Sequence, residues 1–139
     1  NTLEIAGVHL EVASIEAPAA TAPGRAPLVF LHEGLGSIAL WRDWPARLCA
    51  ATGRAGWLYS RRGYGRSSPI ADVRGRGRHQ PDYLHREALE VLPELLARLG
   101  LRQPVLIGHS DGATIALLHA SRHPVSAVVV MAPHLMVET

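Results

Sequence analysis

The sequence predicts an α/β fold, a mostly parallel twisted sheet with helices on both faces. Three observations carry this prediction. Short apolar runs alternate with segments of helical periodicity. Several of the runs, Leu28-Val29-Phe30-Leu31 and Val105-Leu106-Ile107 among them, are continuously apolar, as strands buried on both faces are. Gly-rich turns stand between strand and helix at 33–37 and 108–112.

Each element has its own local reason. Leu3-Glu4-Ile5-Ala6 and Val8-His9-Leu10-Glu11-Val12 alternate about Gly7, which predicts a half-exposed antiparallel pair. Residues 16–27 are rich in Ala and Pro and read as loop, and the buried strand at 28–31 follows. A helix is predicted over Trp44–Thr52, with Asp43 as N-cap, Pro45 in the first turn and Gly53 past the end. Trp57-Leu58-Tyr59 is a short strand, and 61–80 reads as loop. Over 82–99, Leu84, Ala88, Leu92, Leu95, Leu96 and Leu99 fall at helical spacing. Pro93 inside that helix removes a backbone donor and predicts a kink. Pro104-Val105-Leu106-Ile107 is a buried strand, 113–121 an apolar helix and 127–131 a β-branched strand.

Composition excludes several classes. The 139 residues suit one compact domain. At 47% hydrophobic and 19% charged the chain is not intrinsically disordered. No run approaches the roughly 18 apolar residues of a membrane span, so no membrane partner is expected. The N-terminus lacks the zones of a signal peptide, and a cytoplasmic protein is the expectation. It also lacks methionine, so the start reads as trimmed. One cysteine, Cys49, excludes an internal disulfide framework and a thiolate metal cluster. No histidine pair has metal spacing beside a carboxylate. Fourteen Lys+Arg, all arginine, face twelve acids for a net +2, a bias typical of GC-rich coding DNA. Six of those arginines lie within 61–78, where an Arg-Gly loop can track phosphates. The acids balance them and only Tyr64 offers a nearby stacking ring, so no nucleic-acid partner is expected.

The strongest chemical signal is Gly108-His109-Ser110-Asp111-Gly112, between a strand and a helix. G-x-S-x-G in this setting places a serine on a tight turn with its hydroxyl above the sheet. Side chains two positions to either side would collide with neighbouring backbone, hence the glycines. The helix start aims amide donors at the reacting centre. Ser110 is therefore the expected nucleophile, against the plainer reading of a helix N-cap. His32-Glu33-Gly34-Leu35-Gly36-Ser37 follows a buried strand and can supply a second oxyanion amide beside that of Asp111. Arg62-Gly63-Tyr64-Gly65-Arg66-Ser67 lacks the third glycine and helix start of a dinucleotide site.

With these three motifs in order, residues 3–133 resemble the N-terminal half of the α/β-hydrolase superfamily. The HEGLGS run through Trp41-Arg42 and the segment Pro81-Asp82-Tyr83-Leu84-His85-Arg86-Glu87-Ala88 further resemble a group of bacterial α/β-hydrolases of mostly unassigned substrate. The resemblance implies Ser110 as nucleophile, Gly34 and Asp111 as oxyanion amides, and no cofactor. It implies a serine hydrolase of the ester, thioester or lactone class acting on a small molecule. It also implies one core domain over 1–139, a sheet cut after about the sixth strand, and a cap, acid and histidine beyond Thr139.

There are departures from the pattern. Glu33 replaces the usual glycine after His32, either facing substrate or anchoring its loop. Ser60 stands where relatives often carry Asp. Glu138, after the last strand, and His134, at the sheet's C-terminal end, are the in-chain candidates for acid and base. Trp41, Trp44 and Tyr64 either line an apolar acyl site or pack. His32 is expected to orient its loop by a hydrogen bond, His109 to pack, and His119 and His123 to sit on the helix after the elbow. The alternative to catalysis is a truncated homologue acting as an interaction module. An uncovered strand at 127–131 is then expected to self-associate.

Overall fold

The computed structural model describes residues 2–5, 7–18, 25–32, 38–62, 64–67 and 83–132. Six strands form one sheet: β1 (Thr2–Ile5), β2 (Val8–Ile15), β3 (Leu28–Leu31), β4 (Gly56–Ser60), β5 (Val105–His109) and β6 (Ala127–Met131), in the order β1-β2-β4-β3-β5-β6. β1, β2 and β4 pair antiparallel, and β3 pairs parallel with both β4 and β5. β5 also pairs parallel with β6. β2 runs three residues past the predicted strand, because Ala13, Ser14 and Ile15 find partners in Leu58, Trp57 and Gly56. That extension comes from tertiary pairing, which alternation within β2 does not report.

The path from β3 leads first to β4 on one side and then over to β5 on the other. In open α/β sheets, such a reversal opens a crevice at the strands' carboxyl ends, where ligands bind. The strands' two-residue period divides the core. Val29, Leu31, Tyr59 and Leu106 face one cluster with Leu92, Leu95, Ile115 and Ala116. Leu28, Phe30, Leu58, Val105 and Ile107 face the other with Cys49.

Helix α1 (Trp44–Thr52) covers the second face. Asp43 occupies its N-cap position but makes no capping side-chain bond. Its carboxylate instead lies 3.9 Å from Arg47, one turn on. The first face is covered by α2 (Tyr83–Arg86), a π-helical turn (Glu87–Val91), α3 (Leu92–Leu99) and α4 (Asp111–Ala120).

The disturbance expected at Pro93 takes the form of that π turn. The amide of Leu92 donates to Glu87 O, five residues back. The next such bond, from position 93 to Ala88 O, is impossible because proline has no N–H. His119 fills the vacancy: its buried Nδ1 lies 2.9 Å from Ala88 O. No described helix is long and apolar enough to cross a membrane.

Candidate active site

β5 ends at His109 and α4 begins at Asp111, leaving Ser110 alone on the turn. Its backbone has φ 57° and ψ −114°, outside the comfortable regions for a residue with a Cβ. The side chain makes no capping bond, which disfavours the plainer reading of Ser110 as an N-cap. The Ser110 amide extends the β5/β6 ladder by donating to Met131 O at 2.8 Å. The Ser110 carbonyl accepts from Ala113 and Thr114 and starts the helix. Asp111 is thus the first residue of α4, where backbone N–H groups point out of the helix start.

Both flanking glycines are enforced by close approach. A Cβ on Gly108 would fall on the backbone of Gly112 and lie 2.6 Å from Ala113 N. A Cβ on Gly112 would overlap Leu31 O and lie 2.7 Å from His32 O. The turn is therefore wedged directly against the end of β3.

His32 is buried there and hydrogen-bonded, while the loop it was expected to orient, 33–37, lies outside the described residues. Its Nε2 accepts from the Arg61 amide at 3.0 Å, and its carbonyl accepts from Arg61 Nη1 at 2.6 Å. Arg61 is itself 1% exposed. This corrects the inclusion of Arg61 in a phosphate-tracking loop, because its guanidinium is committed to the interior. Arg62 and Arg66 are exposed, and the arginines at 74, 76 and 78 lie outside the described residues. Tyr64 packs edge-on to His32 at 5.0 Å, with the Arg61 guanidinium carbon 5.6 Å from its ring centre. Its hydroxyl is pushed up in pKa by burial, eased by Arg61 and raised further by the Asp111 carboxylate. Tyr64 is half-buried and packs on this buried pair.

Glu11 went unsingled in the sequence. Glu11 lies opposite Ser60 in the β2/β4 register. Ser60 Oγ accepts from the Ile38 amide at 3.0 Å and donates to Glu11 Oε1 at 2.9 Å. The same carboxylate oxygen accepts from the Arg66 amide at 3.0 Å, while Ser67 Oγ takes the Glu11 amide at 2.7 Å and donates to Ser60 O. Glu11 thus supplies a carboxylate across the ladder, with Ser60 bridging it to the Ile38 amide.

Sequence reading also missed Glu87. It is buried in the π turn, accepts from Tyr59 Oη at 3.4 Å and is pushed up to about 7 by burial. Two signals pointed to Glu87 and Arg61: Glu87 sits three residues after Leu84, on the apolar stripe of its helix, and Arg61 follows Tyr59 by the two-residue repeat, just past the end of β4.

Trp41 stacks on Trp44 at 5.5 Å and meets Phe30 edge-on, also at 5.5 Å, so Trp41 packs against the cluster beneath α1 while Trp44 stays partly exposed. Cys49 is buried in that cluster, which raises its thiol pKa. His109 is half-buried at the end of β5, and His123 lies in the turn after α4 rather than on it, stacked on His119 at 4.7 Å. Glu33, Gly34, His134 and Glu138 lie outside the described residues.

A model of the alpha/beta hydrolase fold matches residues 26–139. The chain belongs to this family. Among solved structures it is similar to an alpha/beta hydrolase fold protein from Burkholderia ambifaria, at 23% identity and a TM-score of 0.74, covering 99% of this chain and 45% of that one. It is also similar to an N-acyl homoserine lactone degrading enzyme, at 20% identity and a TM-score of 0.72, covering 96% of this chain and 45% of that one. An epoxide hydrolase from Vigna radiata matches at 23% identity and a TM-score of 0.72, covering 100% of this chain and 41% of that one. This α/β-hydrolase chain thus spans less than half the length of each of the three.

Proposed function

We propose that the protein is a serine hydrolase of esters, thioesters or lactones, with Ser110 as nucleophile and the amides of Asp111 and Gly34 as oxyanion donors. The observation that carries this reading is the strained, uncapped Ser110 between β5 and α4. Strain of this kind persists only where the surroundings enforce it, and here Gly108 and Gly112 let the backbone close around it.

In the proposed reaction Ser110 Oγ attacks the substrate carbonyl carbon and its proton passes to a histidine base. The carbonyl oxygen becomes an oxyanion held by backbone N–H groups. Collapse expels the alcohol or thiol, which takes the proton back. Water then attacks the acyl-serine by the same route and frees the acid. A serine alone is too weak a nucleophile, so the reading requires a base and an orienting acid. We place them in chain following the described residues, with His134 and Glu138 as the nearest candidates. Tyr64 and Glu33 are the proposed substrate-facing residues, whereas Trp41 packs with Phe30.

The test is covalent labelling of the full-length protein with a fluorophosphonate, alongside turnover of p-nitrophenyl acetate. Wild type is expected to be labelled at Ser110. Ser110→Ala is expected to lose labelling and at least about 1000-fold in turnover while melting at a similar temperature. Undiminished turnover by the variant would overturn the reading.

A further inference from the structure

The proposed reaction does not account for an arginine enclosed beneath it. Removing a guanidinium from water costs several kcal/mol even after relaxation, and an apolar side chain would fill the space without that penalty. What arginine adds is a rigid planar fork of donors, and at Arg61 the fork is used. Nε donates to Tyr83 Oη at 2.8 Å and Nη1 to His32 O at 2.6 Å, while the residue's own amide donates to His32 Nε2 at 3.0 Å. One residue thus grips His32 by both ring and carbonyl, and Tyr83, on α2, braces the fork from behind. Glu87 lies in the same cluster, feels the Arg61 charge and accepts from Tyr59 Oη.

His32 is where this grip reaches the chemistry. Its carbonyl and that of Leu31 lie against Gly112, two residues after Ser110, closely enough to exclude a Cβ. Any movement of the end of β3 therefore moves the first turn of α4, or separates the two.

We propose that Arg61 is a positioning residue for the Ser110 reaction: its fork, braced by Tyr83, sets His32 against the first turn of α4 and so aligns Ser110 Oγ and the Asp111 amide with the end of β3. The proposal rests on the serine-hydrolase reading.

The test uses full-length Arg61→Lys and Tyr83→Phe proteins, with active sites titrated by fluorophosphonate and kinetics taken well below each melting temperature. Arg61→Lys keeps the charge and loses the fork. It is expected to lower kcat on p-nitrophenyl acetate per titrated site by about 10- to 100-fold, and the labelling rate with it. KM should stay within about twofold of wild type. Tyr83→Phe removes only the brace and is expected to lower kcat by roughly 3- to 10-fold in the same pattern. A purely structural role would lower the melting temperature and the number of active sites while leaving the rate per site unchanged, and that result overturns the proposal. So does a change confined to KM. A wild-type protein that is not labelled at Ser110 overturns the serine-hydrolase reading itself, and this proposal with it.

Discussion

A carboxyl group enclosed away from water prefers to keep its proton unless a neighbouring charge compensates. Glu87 is such a group. Burial outweighs the Arg61 charge and the Tyr59 hydroxyl, which pull the other way, and leaves it raised from 4.5 to about 7. The direction for stability follows from which state binds the proton more tightly. The folded chain does, so the contribution is complete below about 4.5 and is lost as pH rises through about 7. The loss is on the order of 3 kcal/mol. Glu87→Gln keeps the neutral shape and is expected to escape it. The variant should melt with wild type at pH 5 and above it at pH 8. Melting curves that stay parallel across this range would show that Glu87 is ionised throughout.

At the scale of elements, the decisive contact is between the end of β3 and the start of α4. Helix and strand approach closely enough that Gly112 touches the carbonyls of Leu31 and His32. Gly112→Ala is expected to destabilise the protein by about 3 kcal/mol or more, read from urea unfolding, because backbone rather than a flexible side chain must give way. Wild-type stability in this variant would mean that β3 and α4 separate at little cost. The segment from 83 to 99 shows how a helix absorbs a proline: one π turn precedes Pro93, and His119 of α4 supplies the missing donor to Ala88 O. That bond ties the C-terminal end of α4 to the neighbouring π turn. Burial lowers the pKa of His119, which suits a neutral ring donating through Nδ1.

For the molecule as a whole, the sheet is asymmetric. β3 and β5 have partners on both sides, whereas β6 is paired on one side only among the described residues. Its Val129 and Val130 are 47% and 36% exposed, and Leu117 on adjacent α4 is 38% exposed. Open apolar edges pair with further chain or with other molecules. The 139-residue polypeptide by itself is expected to self-associate through β6, and Val129→Lys to reduce this, as followed by sedimentation velocity. A monodisperse monomer before any substitution would count against the expectation.

The sequence by itself determined most of the architecture: the strand and helix positions, the antiparallel opening, the parallel centre and the serine elbow with its two enforced glycines. These are local properties, because hydrophobic period and turn chemistry are written into neighbouring residues. The tertiary structure alone decided which distant residues share a proton or a charge. Glu11 meets Ser60 through the β2/β4 register, 49 positions apart. Of the adjacent arginines, Arg61 turns inward and Arg62 outward, following the alternation that buries Tyr59. Glu87 reaches Tyr59, and His119 reaches Ala88, across 28 and 31 positions. A polar side chain in an apolar stripe announces that it needs a partner, but the order and stacking of the elements choose which one.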